Sequence, residues 1–369
     1  MHRGSIARGG RAAPAGNRHH PRRRTPAPPV ARRRVAHHIA RRPGATGGDV
    51  GFPPDPGVLG CWDLLMTSTP PAPTTAQHRA LQDKALLFHS LHTSGQVLAL
   101  PNAWDVASAL LVQQAGASAV ATTSAGVAWS LGAADGDHLD RDRALDLVAR
   151  IASAVSVPVT ADIERGFAAT PDGVADTIRG VLAAGAVGVN LEDSVDVVDE
   201  QTGQATGRGL RAAGEQADRI AAARQAADAA GVRLFINARV DTYLLGVGET
   251  PELRFAETVD RAAAYLRAGA NGIFVPGVVD PATVADLVKQ VAAPLNVLAG
   301  PGAPAVPDLA ALGVARVSLG SGIAEAAYAV ARRSAEEMLR TGTYTALAEA
   351  AEAHVDYGQL NALEYGLGN

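Results

Sequence analysis

Two carboxylates lie two residues apart at the end of an apolar run, in the sequence Val157-Pro-Val-Thr-Ala-Asp-Ile-Glu-Arg-Gly-Phe167. At the spacing of a β-strand, Asp162 and Glu164 would point the same way and face one site at the strand's end. Adjacent carboxylates repel one another and raise each other's pKa, so the pair is typical of metal binding or acid–base chemistry. A salt bridge from the pair to Arg165 or Arg239 is the simpler alternative.

The same layout, an apolar run that ends in charge, occurs twice more, at residues 188–193 and 234–241. The candidate residues at these ends and after the neighbouring runs are Asn102, Asp105, Thr123, Ser124, Asp135, Glu192, Asp193, Asn237, Arg239 and Asp241. So many acids cannot stay ionised together without a cation, and hard oxygen ligands favour Mg²⁺ or Mn²⁺ over softer metals. We therefore predict a divalent-metal site.

The elements that must position these residues are eight apolar runs separated by helical stretches. The runs lie at residues 95–100, 119–123, 157–162, 187–191, 233–236, 273–275, 295–298 and 316–319. Parallel strands need helical crossovers, and eight such units predict an α/β fold, a (β/α)₈ TIM-type barrel whose site lies at the carboxyl ends of the strands. An open doubly wound sheet would need a Gly-rich turn after the first strand, and Pro101-Asn-Ala-Trp-Asp105 is not one.

Further helices are predicted at both ends of the barrel. Residues 75–92 form an extra amphipathic N-terminal helix, and residues 323–339 and 344–354 form C-terminal helices. Because a helix that cannot bury its apolar side locally usually packs on a partner subunit, we expect a homo-oligomer. Two segments are predicted to be loops, residues 124–132 and the long polar stretch at 193–213.

Composition supports a buried α/β core, since apolar residues make up 47% of the 369 residues and charged residues 19%. The single cysteine, Cys61, excludes an internal disulfide and a Cys-based zinc site. No uncharged apolar run of about 18 residues is present, so no membrane span is predicted.

Residues 1–65 differ from the rest of the chain. They contain 12 Arg, no Lys and 3 Asp, a net charge of +9 before histidines, whereas the whole chain carries −4. The segment is rich in Pro and Gly and is predicted to be disordered, with residues 66–369 forming a single barrel domain and its helical extension. A nucleic-acid arm and an organelle transit peptide are alternatives. We favour a mis-assigned start codon with Met66 as the true start, expect no nucleic-acid partner, and expect a cytoplasmic protein because no secretory apolar region is present.

The strand-end motifs resemble those of the isocitrate lyase and phosphoenolpyruvate mutase superfamily. The resemblance spans residues 96–322 and rests on the motifs Leu100-Pro-Asn-Ala-Trp-Asp105, Thr122-Thr-Ser-Ala-Gly126, Thr160-Ala-Asp-Ile-Glu-Arg-Gly166, Gly188-Val-Asn-Leu-Glu-Asp193 and Ile236-Asn-Ala-Arg239. It implies a barrel whose last helix is swapped between subunits of a tetramer or dimer. It also implies Mg²⁺-dependent making or breaking of C–C or P–C bonds in a small 2-oxo acid or related carboxylate, through an enolpyruvate-like intermediate.

The resemblance also implies residue roles. Asp162 is similar to the direct Mg²⁺ ligand of the superfamily, and Glu164 and Glu192 are similar to the acids that hold its water molecules. Glu192 thereby serves both metal binding and catalysis. Asp135 resembles the aspartate near the scissile bond.

Substrate contacts are implied in the same way. The segment Thr123–Ser124 resembles the loop whose backbone N–H groups bind the substrate's carboxylate and oxo oxygen. Arg239 would neutralise the charge that develops as the bond breaks. Asn237, in the same motif, and Arg208 are predicted to contact this small anionic substrate.

The segment after the fourth strand departs from the superfamily pattern. Lyases carry a Lys-Lys-Cys-Gly-His loop there, whereas this chain has neither Cys nor Lys between Glu192 and Arg211. True isocitrate or methylisocitrate lyase activity is therefore not expected, and phosphonomutase activity is disfavoured. Enolate-forming chemistry remains, such as 2-oxo-acid decarboxylation, hydrolysis or a lyase step with another proton donor. Arg208, on this segment, is predicted to close on the substrate.

Two other functions stay open. Glycine-rich turns at residues 299–302 and 319–322 offer backbone N–H groups where many barrels bind phosphate, which would suit a phosphate-ester enzyme. A non-catalytic, degenerate barrel that acts as a binding protein is the other alternative. Asp105 is interpreted either as a helix cap or as a site residue, and Asp193 and Asp241 as structural.

Overall fold

The computed structural model describes residues 74–199, 201–351 and 355–363. These residues belong to the second of two units into which the chain divides, Pro70–Asn369, and none of the first unit, Met1–Thr69, is described. Residues 1–65, for which disorder is predicted, and the predicted start at Met66 lie outside the described residues, so both stay predictions. Among the helices described, none is long and apolar enough to cross a membrane.

The described chain contains eleven strands. They are β1 (Leu98–Leu100), β2 (Asn102–Ala103), β3 (Val120–Thr122), β4 (Val159–Asp162), β5 (Gly188–Glu192), β6 (Ser194–Val198), β7 (Ala205–Leu210), β8 (Phe235–Arg239), β9 (Gly272–Val275), β10 (Leu295–Leu298) and β11 (Arg316–Ser318). Nine form one parallel sheet in the order β1-β11-β10-β9-β8-β5-β4-β3-β2, and β6 pairs only with β7.

The sheet closes into a barrel at Pro101. Proline has no N–H to donate to a ladder, and it separates β1 from β2. β1 pairs with β11 and β2 pairs with β3, so these two short strands are halves of one strand, each bonded to a different neighbour. The closed sheet therefore has eight strand positions, and the predicted (β/α)₈ barrel is confirmed.

Asn102 joins the two sides of this split strand. Its side-chain amide donates to the Thr122 carbonyl at 3.0 Å, and its carbonyl oxygen accepts from the backbone N–H groups of Leu319 and Gly320, each at 2.9 Å. One buried side chain thus replaces ladder hydrogen bonds that the proline interrupts. The same contacts occupy two of the N–H groups in the 319–322 turn that the phosphate-ester alternative needs.

The described chain contains twelve helices. They are α1 (Thr75–Thr93), α2 (Val106–Gln114), α3 (Ser124–Ser130), α4 (Arg141–Ala154), α5 (Pro171–Ala183), α6 (Ala213–Ala229), α7 (Pro251–Arg267), α8 (Pro281–Gln290), α9 (Val306–Ala311), α10 (Gly322–Thr341), α11 (Thr345–Ala351) and α12 (Tyr357–Asn361). Most barrel helices begin with a cap of the expected kind, such as Thr170 before Pro171 and Asp280 before Pro281.

The extra helix α1 closes the amino-terminal end of the barrel. Phe88 and His92 pack on Phe235, with ring centroids 5.6 Å and 3.9 Å from that ring. Phe88 also requires a glycine opposite it, because a Cβ on Gly188 would lie 2.6 Å from the phenyl ring. Because α1 fills the amino-terminal end of the barrel, the carboxyl end of the strands is the end available for the site.

Both predicted loops are wrong. Residues 124–130 form α3, although Ser and Gly disfavour helices. Gly126 is there for packing, since a Cβ would lie 2.7 Å from the Cβ of Trp104.

The long polar stretch contains the antiparallel hairpin β6–β7, whose register runs from Ser194↔Leu210 to Val198↔Ala205. Glycines and exposed polar residues hide β7 in the sequence, because strand patterns rely on one buried face. The N–H of Arg211 donates to the carbonyl of Asp193 at 2.8 Å, which ties the two ends of the hairpin together.

Candidate active site

The carboxyl ends of β4, β5 and β8 bring an acid cluster together. Asp162 ends β4, and the register places Glu192 on β5 directly beside Arg239 on β8. The Arg239 Nη1 and Glu192 Oε2 atoms are 2.5 Å apart, and both side chains are largely buried. The hydroxyl of Ser194 donates to the other Glu192 oxygen at 2.5 Å. These side chains therefore face one site, as the strand-end pattern predicts.

Asp162 sits at the opening of the barrel. Its carboxylate accepts from the Glu164 N–H at 3.1 Å, and its own N–H donates to the Thr122 hydroxyl at 2.9 Å. Desolvation by the surrounding protein raises the pKa of Asp162 to about 6; Arg239 opposes this rise, and Glu192 adds to it. A group with this environment gains most from a nearby cation.

Glu164 is buried beneath the loop that carries residues 135–137. Its carboxylate accepts from the N–H groups of Gly136, at 2.7 Å, and of Asp137. Desolvation raises the pKa of Glu164 to about 8, opposed by the Asp137 N–H and reinforced by the charge of Asp135. The carboxylate is thus positioned by backbone groups rather than by an arginine, and the salt-bridge alternative for Glu164 finds no support.

Asp135 lies close enough that its charge raises the pKa of both Asp162 and Glu164. Its Oδ1 atom is buried without a hydrogen-bond partner. A buried carboxylate oxygen without a partner is costly unless a ligand or water completes it. Asp135 therefore belongs to the acid cluster, as its place after the second strand predicts.

The acid cluster fits a hydrated Mg²⁺ ion. All of its donors are carboxylate oxygens, the ligands that Mg²⁺ and Mn²⁺ prefer. Within the described residues, no three acidic, histidine or cysteine side chains form a ready-made cage. Mg²⁺ usually keeps several water molecules and binds only one or two carboxylates directly, so it does not require such a cage.

Arg239 is held by two acids at once. Besides Glu192, it binds Asp241 through two hydrogen bonds, from Nε at 2.6 Å and from Nη2 at 3.0 Å. These carboxylates raise the pKa of Arg239, so it stays charged. The interpretation of Arg239 as the partner of Asp241 is thus confirmed, and the contact with Glu192 places it in the acid cluster, whereas its catalytic role stays a prediction.

A second buried network lies behind Arg239. The Asp241 N–H donates to Asp193 at 2.9 Å, and Asp193 also accepts from the Tyr265 hydroxyl at 2.8 Å and from Arg261 at 3.1 Å. Asp193 is fully buried and accepts three hydrogen bonds from protein groups, as expected of a structural residue. Asp105 is likewise a helix cap, since its carboxylate accepts from the Ser108 N–H at 2.7 Å.

The predicted substrate residues lie at different depths. Thr123 and Ser124 begin α3 at the barrel mouth, and no side-chain hydrogen bond caps this helix. Asn237 lies one layer below Arg239, where its amide donates to Asn190 at 2.9 Å. Arg208, on β7, lies over Gly136, since a Cβ there would be 2.5 Å from its Nη2 atom. These roles stay predictions.

The network centred on Arg165 was not predicted from the sequence. This buried guanidinium binds Asp137 at 3.1 Å, Asp196 at 2.9 Å and the Gly136 carbonyl at 2.6 Å. It links the loop that holds Glu164 to the hairpin, and it borders an open cavity of about 650 Å³. The only sequence signal is the position of Arg165 next to the acids, because its partners lie far away in the chain.

The known proteins with similar sequences or structures agree in the family that they indicate. The profile of the phosphoenolpyruvate phosphomutase family matches residues 88–339. An uncharacterised protein of Mycobacterium tuberculosis is 37% identical over 268 residues, covering 70% of this chain and 94% of its own length. The 2-methylisocitrate lyase of Escherichia coli is 27% identical over 220 residues, 58% of this chain and 70% of the lyase. A solved structure of phosphonopyruvate hydrolase with oxalate and Mg²⁺ is 27% identical, with a TM-score of 0.63, and covers 76% of this chain and 94% of the hydrolase.

Proposed function

Because the chain belongs to the phosphoenolpyruvate phosphomutase family and is an enzyme of the wider isocitrate lyase and phosphoenolpyruvate mutase superfamily, we propose that it acts on a small 2-oxo acid or related carboxylate. The reaction is Mg²⁺-dependent and makes or breaks a C–C or P–C bond through an enolpyruvate-like intermediate. The observation behind the proposal is the acid cluster of Asp135, Asp162, Glu164 and Glu192 beside Arg239 at the open end of the barrel.

The metal is held by the acid cluster in this proposal. Asp162 is its direct ligand, and Glu164 and Glu192 bind its water molecules. Mn²⁺ can replace Mg²⁺ because it prefers the same oxygen ligands. When bound, the ion polarises the oxo oxygen of the substrate and makes an enolate a better leaving group.

The chain's own residues perform the remaining steps. The backbone N–H group of Ser124, which has no partner within α3, binds the substrate's carboxylate, as free helix-initial N–H groups do. The neighbouring N–H of Thr123 already donates to the carbonyl of Ala103 at 3.0 Å, so the predicted contact of Thr123 with the substrate would fall to its side chain. Arg239 is already charged and fixed, so it stabilises negative charge in the transition state without reorganisation. Asp135, with its unpartnered oxygen, lies next to the scissile bond, and Asn237 supports the substrate from below.

The residue composition of the hairpin limits which reactions are expected. The hairpin contains neither the cysteine nor the lysines of the superfamily's lyase loop, so the proposal disfavours isocitrate and methylisocitrate cleavage and favours decarboxylation, hydrolysis or another lyase step. The side chain of Arg208 lies beside Gly136, forms no hydrogen bond or ion pair with another side chain among the described residues, and in this proposal closes on the substrate's anionic group. An Arg208→Ala variant with unchanged kcat and KM would contradict this role.

The oligomer is a further part of the proposal. In α10 only Ala324 is buried, while Tyr328, Met338 and Leu339 are exposed, Leu339 at 87%. A second subunit would cover this apolar side, as in a dimer or tetramer with a swapped helix. Light scattering after size-exclusion chromatography should therefore give a mass at least twice the 37.7 kDa of the full chain, or of a chain starting at Met66 if that is the true start.

One assay tests the proposed function. Pyruvate release is measured from oxaloacetate, methylisocitrate-type and phosphonate substrates, with Mg²⁺ and with EDTA. The proposal expects turnover of at least one 2-oxo acid or related carboxylate that EDTA abolishes and Mg²⁺ restores, and its loss in Asp162→Asn. Turnover that is indifferent to EDTA, or only of phosphate esters, would refute it.

A further inference from the structure

We propose that Arg219 is a positioning residue, which with Thr177 and Gln216 holds the strand ends that carry the acid cluster. None of the three side chains reaches the site itself. The inference rests on the proposed function, because it assumes that the acid cluster binds a metal ion.

The backbone that follows Asp162 is strained. Glu164 and Phe167 have φ angles of 51° and 49°, and Gly166 between them has 91°. For an L-residue this left-handed region is unfavourable, because Cβ comes too close to the following carbonyl oxygen. Such conformations persist only where the surrounding structure holds them. Among the described non-glycine residues only Asp137, which binds the Glu164 carboxylate, shares a positive φ. The strain is therefore concentrated where two segments meet at Glu164.

The carbonyl groups of this strained segment accept from one guanidinium behind the barrel. Arg219, on α6, donates through Nη2 to the carbonyls of Arg165 and Ala168, the latter at 2.8 Å, and through Nη1 to that of Ala169 at 3.1 Å. A single side chain thus fixes three carbonyls within five residues of the chain. Their direction determines how the preceding backbone aims Glu164.

Two further buried side chains complete the arrangement. Thr177, on α5, donates to the Gly166 carbonyl at 2.8 Å. Gln216, one turn before Arg219 on α6, donates to the Glu192 carbonyl at 3.0 Å. Both are fully buried. Helix α6 therefore holds the end of β4 and the end of β5 at once, the two strands that carry the acid cluster's metal-binding side chains.

An arginine at position 219 indicates a role in orienting the backbone rather than in stabilising the fold. Arg219 is fully buried, and no carboxylate within the described residues is at ion-pair distance from it. Removing such a charge from water is unfavourable, and an apolar side chain of similar volume would avoid this cost. Burial lowers the pKa of Arg219 to about 10, so the charge persists at neutral pH. Only the planar guanidinium, with its fixed fork of donors, can reach three carbonyls together.

Isothermal titration calorimetry of the full chain with Mg²⁺ alone tests the inference. Arg219→Met is compared with Arg224→Met, because Arg224 lies on the same helix and also donates to a carbonyl, that of Leu234 at 2.8 Å, but at the amino-terminal end of β8. We expect the Mg²⁺ dissociation constant to rise about 10- to 100-fold in Arg219→Met, the usual effect of removing a group that orients metal ligands. It should change less than twofold in Arg224→Met. Arg219→Lys should recover part of the affinity, since an ammonium reaches fewer carbonyls.

The outcomes separate the inference from the proposed function. If the unmodified protein does not bind Mg²⁺, the proposed function fails. If it binds Mg²⁺ and Arg219→Met binds equally tightly, or if Arg224→Met loses as much affinity as Arg219→Met, the positioning role is refuted. If Arg219→Met does not fold, the near-isosteric Thr177→Val tests the positioning role instead. We expect Thr177→Val to bind Mg²⁺ more weakly than the unmodified protein. Unchanged binding would contradict the inference.

Discussion

Glu164 should make the metal-free protein less stable as the pH rises. Its side chain is 2% exposed, and desolvation raises its pKa from 4.5 to about 8. An acid with a higher pKa in the folded chain binds its proton more tightly there than in the unfolded chain. The folded state is therefore penalised as the pH rises above 4.5, and the penalty becomes complete above about 8.

The size of this effect follows from the pKa change. At 1.36 kcal/mol per pH unit, a rise from 4.5 to about 8 corresponds to about 5 kcal/mol at full ionisation, of which roughly 4 kcal/mol falls between pH 5 and pH 9. In a domain of this size, each kcal/mol moves the Tm by about 2–4 °C, so the total is on the order of 10 °C. Glu164→Gln removes the titrating proton and keeps the shape, so this part of the pH dependence should vanish.

Differential scanning calorimetry in EDTA, from pH 5 to pH 9, measures the effect. The control is Glu215→Gln, whose carboxylate is exposed on α6. The Tm of the unmodified protein and of the control should fall together, and that of Glu164→Gln should fall less and be the highest at pH 9. Excess Mg²⁺ should restore the Tm of the unmodified protein at high pH, because a cation favours the ionised acids. Parallel curves for Glu164→Gln and the unmodified protein would refute the reasoning.

Three further predictions concern the same end of the barrel. Arg239→Met should lower kcat by about 10²- to 10³-fold in steady-state assays, because it removes a fixed donor for the developing charge, and a change confined to KM would contradict that role. Asp196→Asn removes the 2.9 Å ion pair to Arg165, so limited proteolysis should cleave the hairpin severalfold faster than in the unmodified protein; an equal rate would show that the pair does not hold it. Asn102→Ala leaves one buried and two partly buried backbone groups without their partner and should reduce the free energy of unfolding by about 2–4 kcal/mol, whereas an unchanged Tm would mean that water replaces the amide.

The sequence predicts the barrel because its eight apolar runs are repeated local patterns. It predicts the acid cluster because strand ends must meet at one end of a barrel, so Asp162 and Glu192 needed no knowledge of distant contacts. Asn102 shows the limit of that reasoning. Its position after the first strand suggested the site, but its side chain joins the split strand, since Pro101 removes the ladder there.

The contacts between distant segments could not be predicted in the same way. The ion pair of Arg165 with Asp196 depends on a hairpin whose strands have no buried face, so no alternating apolar pattern marks it. Arg219 lies in a helix whose sequence looks ordinary, and its partners are carbonyl groups, which every residue has. Such roles depend on three-dimensional geometry, whereas apolar periodicity and charge at strand ends can be read from the order of residues.

The separation of the hairpin from the strand ladder of the barrel has an evolutionary consequence. The backbone ladder of β6 and β7 joins only these two strands, their ends are tied by the Asp193–Arg211 bond, and the β5–β8 ladder continues without them. Two side chains of β6 still contact the site, Ser194 at Glu192 and Asp196 at Arg165. A hairpin that keeps these two contacts is an exchangeable cassette, which can be replaced without breaking the ladder of the scaffold below. In the proposed function the scaffold supplies the metal site and the fixed positive charge, whereas the cassette supplies whatever closes over the substrate. Diversification of reactions on this barrel would then proceed by replacing the cassette, and grafting a different hairpin between residues 193 and 211 is the corresponding engineering route.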